Sequence, residues 1–325
     1  MTVALLHLKK AMRFVTTRGP KYATFFVNTR CNRRCAYCVV TNRQNSEIAT
    51  ETWNIIADRA INWGVCLISI VGGEPTLRKD LADIIGHASK KVLVNLTSNG
   101  DFFAENDGLK YLYSLTSAGL SSVTLSLHEL NDLERQIRIL LSAKKSGAVP
   151  VLATVATKTS IELLPEVMQT VTKHGVFFRY SLCQTVGGDF SPINMELQPT
   201  REQISTFTDI VWREKQRTGL IMNTYEYLKK ANLYPNNWHC NNHKDYWLHV
   251  NSDGTLMACS ERPTSIKAID IPSLDDPRWI EDRTKIRNNC NGCSNHCYIE
   301  QEKANGFSSV FEGLRYATAL LRANL

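Results

Sequence analysis

The residues CNRRCAYC (31–38) put Cys31, Cys35 and Cys38 in a C-x3-C-x2-C spacing, with Tyr37 just before the last thiol. Seven further cysteines lie elsewhere: Cys66 and Cys183 alone, then Cys240, Cys259, Cys290, Cys293 and Cys297. A trio is odd for a disulfide framework. A structural zinc ion needs a fourth ligand, for which His7 or a distant cysteine is available. Three thiolates can instead hold three irons of a four-iron cubane and leave the fourth iron open. That iron can then take a ligand that chelates through an amine and a carboxylate. The reading requires reduced thiols. The N-terminal MTVALLHLKKAMRFV is interrupted by Lys9, Lys10 and Arg13 and lacks a small-residue cleavage site, and no run of 18 apolar residues occurs. A reducing, cytoplasmic location is therefore the expectation.

Elements that could carry such a loop repeat along the chain. Short apolar, β-rich runs occur at 23–29, 66–72, 92–98, 121–127, 149–156 and 176–182. Helix-like stretches separate them, such as ETWNIIADRAINWG (51–64) and IELLPEVMQTVTKHG (161–175), the latter ending on Gly175. Strands alternating with helices predict βαβ units and a parallel sheet. Six units are too few for a closed eight-stranded barrel, which leaves an open partial barrel or a doubly wound sheet. In either, ligands bind beyond the C-terminal strand ends. The sequences of chemical interest fall there: CNRRCAYC after the first run, GGEP (72–75) after the second, SNG (98–100) after the third, HE (128–129) after the fourth and CQTVGGD (183–189) after the sixth.

The triad, Tyr37 and Gly72-Gly73-Glu74-Pro75 closely resemble the signature of the radical S-adenosylmethionine (radical SAM) superfamily, with matching motif placement over residues 23–183. The resemblance implies that Cys31, Cys35 and Cys38 hold a [4Fe–4S] cluster. It places Tyr37, Gly72, Gly73, Glu74, Pro75, Ser98, Asn99 and Ser126, with His128 nearby, around S-adenosylmethionine. Two departures stand out. The small acidic motif common after the fourth strand is replaced by Ser126-Leu127-His128-Glu129, and no glycine-rich adenine motif is evident in VLATVATKTS. The implied chemistry is reductive cleavage of the sulfonium, followed by hydrogen-atom abstraction by a 5′-deoxyadenosyl radical. A low-potential donor such as flavodoxin or ferredoxin is the implied partner.

Beyond residue 190 the pattern changes. Thr200 and Gln203 predict a capping box. DYWLHVNSDGTLMACSE (245–261) predicts a hairpin turning at Asp253-Gly254. Cys240-x13-Gly254-x4-Cys259, followed by the Cys290-x2-Cys293 pair, resembles SPASM and twitch extensions. That resemblance assigns Cys240, Cys259, Cys290 and Cys293 to one auxiliary [4Fe–4S] cluster. Structural zinc is the alternative, with His239, His243 and His296 as further ligands. Cys297 is left over as a ligand, a hydrogen-atom donor or an inert thiol. Cys183 is a second candidate donor, and Cys66, opening a strand, reads as a small buried apolar residue.

The expected fold class is therefore α/β: a partial (β/α)6 radical SAM barrel followed by a small α+β cysteine-rich auxiliary-cluster domain. The divisions expected are 1–22 (helical extension), 23–190 (barrel), 191–237 (helical connection), 238–300 (iron–sulfur domain) and 301–325 (terminal helix). The formal charge of +7 falls to about +4 if both clusters are bound. Its basic residues are scattered, which disfavours nucleic acid. Leu5, Leu8, Met12 and Val15 share one helical face that could lie on a bilayer, though capping the barrel is the favoured role. The favoured activity is oxidation or epimerisation of a small-molecule intermediate. Peptide maturation and lipid modification are the alternatives, the former disfavoured because only 30 residues precede Cys31.

Overall fold

The computed structural model describes residues 10, 13–14, 16–40, 46–183, 189, 195–231 and 247–290. Six parallel strands form within one residue or so of the apolar runs, except that the first ends earlier: β1 (Tyr22–Phe26), β2 (Leu67–Val71), β3 (Leu93–Ser98), β4 (Ser122–Leu127), β5 (Val149–Ala156) and β6 (Phe177–Leu182). They lie in sequence order across the sheet. The connecting helices are α1 (Thr50–Asn62), α2 (Leu81–Ser89), α3 (Gly108–Ser117), α4 (Leu133–Lys145) and α5 (Leu164–Lys173). Each buries an apolar stripe. On α1 it is Trp53, Ile56, Ala57, Ala60 and Ile61, the i, i+3, i+4 spacing of one helix face.

Those stripes cover one face of the sheet only. In β3 the buried residues Val94 and Leu96 alternate with half-buried Leu93, Asn95 and Thr97. A doubly wound sheet buries both faces and loses this alternation. The single covered layer matches the partial-barrel expectation, with Ser69, Asn95, Thr97, Ser122 and Thr124 on the inner face. There Asn95 donates to Ser69 Oγ at 3.0 Å and accepts from Ser122 Oγ at 2.8 Å and Thr124 Oγ1 at 3.0 Å, linking three strands.

The C-terminal half extends the same sheet. α6 (Arg201–Thr218) starts on the Thr200–Gln203 capping box, and α7 (Tyr225–Ala231) follows it. The hairpin forms as β7 (Trp247–Val250) and β8 (Thr255–Cys259), with Gly254 at φ +81°. Two features were not legible in the sequence: β7 pairs in parallel with β1, and β9 (Arg262–Lys267) adds a third antiparallel strand. The sheet order is β6-β5-β4-β3-β2-β1-β7-β8-β9. α8 (Pro277–Asn288) buries Trp279 at its start. Leu5, Leu8, Met12, Val15, Cys240, Cys293, Cys297 and the 301–325 helix lie outside the described residues. No described helix is long and apolar enough to cross a membrane.

Candidate metal and cofactor site

The cysteine loop follows β1 and has no regular secondary structure of its own, so other segments must hold it. GGEP does so through contact. A Cβ on Gly72 would sit 2.2 Å from Asn28 Oδ1, and one on Gly73 would sit 2.2 Å from the Arg30 carbonyl oxygen. Only glycine allows β2's end to approach the backbone entering Cys31 this closely. Gly73 N–H donates to the Asn28 carbonyl at 3.0 Å, and Glu74 N–H to the Arg30 carbonyl at 2.7 Å. Asn28 Nδ2 returns a bond to the Glu74 carbonyl at 2.8 Å.

Glu74 ties β2 to β3. It is buried, and its carboxylate accepts from Thr76 N (3.1 Å), Thr76 Oγ1 (2.7 Å), Ser98 Oγ (2.8 Å) and Asn99 N (2.8 Å). Burial pushes its carboxyl above the usual range, and those donors oppose the rise. Pro75 is buried at the start of a single 3-10 turn, 75–77. Ser98 also receives Gly100 N–H at 3.0 Å, and Asn99 Nδ2 reaches Asn32 Oδ1 at 2.7 Å. Gly72, Gly73, Glu74, Pro75, Ser98 and Asn99 thus meet as one packed unit under the loop. Ser126 sits farther round the inner face, its carbonyl accepting from buried Gln136 at 3.3 Å.

Charged residues fix the loop from the other side. Arg33 contacts Asp101 twice, at 2.7 and 2.5 Å, and Asp132 at 3.0 Å. Arg135 contacts the same two carboxylates, at 3.0 and 2.9 Å. Sequence reasoning missed this network. Its signal was available in part, since Asp101 follows the SNG motif directly and Arg33 stands inside the octet.

The three thiols form no disulfide, with Cys31 exposed and Cys35 and Cys38 half-buried. Burial pushes the Cys31 and Cys35 thiols up, and neighbouring thiols add to the rise. Backbone N–H groups are aimed at two of the sulfurs: Arg33 at Cys31 (3.3 Å) and Val40 at Cys38 (3.4 Å). Such donors suit thiolates that carry charge onto iron. Cys38 also packs beside Phe26, Val40 and Met257, an apolar wall contributed partly by β8. Among the described residues no three His, Cys, Asp or Glu side chains converge on a single ion. A cubane does not require that, because each thiolate binds a different iron. The donor set fits an open-site cluster.

Tyr37 and His128 close the rim, with Oη and Nδ1 2.9 Å apart. Burial pushes the Tyr37 hydroxyl up and the His128 imidazole down. Cys183 directly follows β6, buried, and close enough for its charge to act on Tyr37. Its thiol is pushed up to about 11 by burial. Cys66 is buried in the core and donates to the Gly64 carbonyl at 3.2 Å, as its expected structural role requires. Of the second set, Cys259 and Cys290 are described and are in no disulfide. Cys240, Cys293 and Cys297 lie outside the described residues.

Over 268 residues the chain is 25% identical to the PqqA peptide cyclase of Granulibacter bethesdensis, covering 75% of this chain and 68% of that protein. Over 122 residues it is 35% identical to the GTP 3′,8-cyclase of Desulforamulus reducens, covering 35% of this chain but only 36% of that enzyme. The fold is shared with Streptococcus suis SuiB (TM-score 0.65, 19% identity, 86% of this chain and 72% of that one). It is also shared with anSMEcpe with bound AdoMet (TM-score 0.59, 16% identity, 94% and 99%). Residues 26–175 match the family model described as the Radical SAM superfamily.

Proposed function

We propose that the chain is a radical SAM enzyme acting on a peptide. Cys31, Cys35 and Cys38 hold the open-site [4Fe–4S] cluster. When bound, the cluster and S-adenosylmethionine supply a 5′-deoxyadenosyl radical that removes a hydrogen atom from the substrate. The chain's residues position and protect that chemistry. Gly72 and Gly73 present backbone to the methionyl end, Glu74 fixes Ser98 and Asn99 beside it, and Ser126 and Tyr37 line the remaining rim. Phe26, Val40 and Met257 keep water from the Cys38 side. The observation that carries the reading is three thiols outside any disulfide on one loop clamped by GGEP, with N–H donors aimed at two sulfurs.

The peptide class rests on the reach of the PqqA cyclase similarity, which takes in 75% of the chain and so extends past the superfamily domain. A small molecule, such as a nucleotide, is the second reading, favoured by the similarity to GTP cyclases. In the C-terminal half, Cys240, Cys259, Cys290 and Cys293 hold an auxiliary cluster. Cys297 and Cys183 are candidate hydrogen donors, and a flavodoxin or ferredoxin supplies electrons.

Two measurements test this. Anaerobically reconstituted protein should carry about eight irons, falling to about four in Cys31/Cys35/Cys38→Ala, since each cubane holds four. A triple variant that keeps the wild-type iron content sinks the cluster assignment. For substrate class, 5′-deoxyadenosine release is followed with size-fractionated extract of the source cells. Stimulation that protease treatment abolishes supports a peptide, and stimulation that survives it points to the small molecule.

A further inference from the structure

Two contacts meet on one atom of His128. Its Nδ1 lies 2.9 Å from Tyr37 Oη and 3.4 Å from Cys35 Sγ. The two rings are nearly parallel, at 18°, with centroids 6.4 Å apart. The sequence pattern placed His128 only in the general neighbourhood of the cofactor, at a position where an acidic motif was expected. A neutral ring nitrogen carries either a proton or a lone pair, so the direction of both contacts is decided together. On the radical SAM reading above, Cys35 is an iron-bound thiolate with no proton to give, so it accepts. Nδ1 must then carry the hydrogen. Tyr37 Oη shares it as a second acceptor and turns its own proton to Cys35, which it also hydrogen-bonds. Nε2 is left as the lone-pair nitrogen.

We propose that His128 Nδ1–H donates to the Cys35 ligand of the open-site cluster, with Tyr37 holding the ring on target, and that it raises the cluster's reduction potential. The physical reason is charge. Reduction adds an electron that spreads onto the thiolate sulfurs, and a donor at sulfur stabilises that more negative state. His128 is thus a positioning and tuning residue that reaches the cluster from the rim beyond β4. Backbone N–H groups also reach Cys31 and Cys38, and the Asn99 side chain bonds Cys31 as well. At Cys35 the partners are side chains, His128 and Tyr37, so each can be changed by a single substitution.

The test uses the full chain, labelled with 15N-histidine, reconstituted anaerobically and reduced. The paramagnetic signal that changes on adding S-adenosylmethionine identifies the open-site cluster. Electron–nuclear double resonance on that signal should show a histidine 15N coupling and an exchangeable proton coupling beyond those given by Tyr37, by Asn99 and by the Arg33 and Val40 backbone N–H groups. His128→Phe should lose both, while His128→Gln, whose amide can donate, should keep the proton coupling. At one fixed solution potential the reduced-to-oxidised ratio in His128→Phe should fall about tenfold, equivalent to about 59 mV for a one-electron couple, with iron content unchanged. A wild-type S-adenosylmethionine-sensitive signal without histidine coupling overturns the inference and leaves the radical SAM reading standing, with no variant needed. Absence of any such signal in well-loaded wild type overturns both.

Discussion

Arg33, inside the cysteine octet, grips Asp101 with two parallel bonds, Nε to Oδ2 at 2.7 Å and Nη2 to Oδ1 at 2.5 Å. A two-pronged arginine–carboxylate pair fixes angle as well as distance. Both side chains are only about a fifth exposed (19% and 21%), so solvent screens them less than a surface pair. Asp101 stands just beyond β3, while Asp132 and Arg135 stand beyond β4. The cysteine loop therefore takes its position from the rims of the neighbouring strands.

Removing Asp101's charge while keeping its shape tests that dependence. Asp101→Asn leaves Arg33 and Arg135 sharing Asp132. The expected loss is about 1–2 kcal/mol in chemical denaturation, the range for a charge-assisted hydrogen bond with a surviving partner. Reconstituted iron should also leave faster on dilution into chelator. Wild-type iron retention in the variant would mean that the loop does not depend on this pair.

The same pair sets an acid limit. Hydrogen bonding from Arg33 holds Asp101 below the usual carboxylate range. Its folded value is thus below its unfolded value of about 3.9. Such a group contributes fully above the unfolded value and loses that contribution as pH falls through the folded one. The stability gap between wild type and Asp101→Asn should be constant from pH 7 to about 5 and close below about 4. A gap that does not narrow at all below about pH 4 would assign the effect to shape rather than charge.

Much of this architecture was legible in the sequence, because strand and helix periods are local. The six apolar runs, the Thr200–Gln203 cap and the Asp253-Gly254 turn needed no tertiary information. The pairing of β7 with β1 did, since Trp247 and Tyr22 are brought together only by the finished sheet. The motif cysteines and GGEP were visible, but the packing role of its glycines was not: the reason for Gly73 is the Arg30 carbonyl, 43 positions upstream in the chain. Arg33 and Asp101 carried no period or spacing that would link them.

That packing role makes two glycines opposite in sign. Gly73→Ala puts a methyl 2.2 Å from the Arg30 carbonyl oxygen and 2.6 Å from that of Thr29, both backbone atoms that cannot swing away. Overpacking of this kind costs about 1–3 kcal/mol, and the cost falls on the segment entering Cys31. Gly86, inside α2, has nothing closer than 3.9 Å. Gly86→Ala should stabilise by about 0.5–1 kcal/mol through helix propensity alone. Paired melts and iron contents check both, and equal shifts of one sign would contradict the geometry.

Cys183 contributes to the alkaline limit. Burial raises its thiol to about 11 in the folded chain, against about 8.5 when unfolded. A group raised on folding contributes fully below its unfolded value, and the contribution is lost as pH rises through the folded one. Wild-type stability should therefore decline from about pH 8.5 towards about 11, and Cys183→Ala should flatten that decline while losing some packing at neutral pH. The same protonation keeps an S–H bond at the end of β6 under working conditions, which a hydrogen-atom donor needs. Alkylation by iodoacetamide of protein loaded with iron gives an independent reading. Cys183 should be modified far more slowly than an unfolded thiol at pH 8, and rapid modification would mean that the site is neither buried nor held as a thiol.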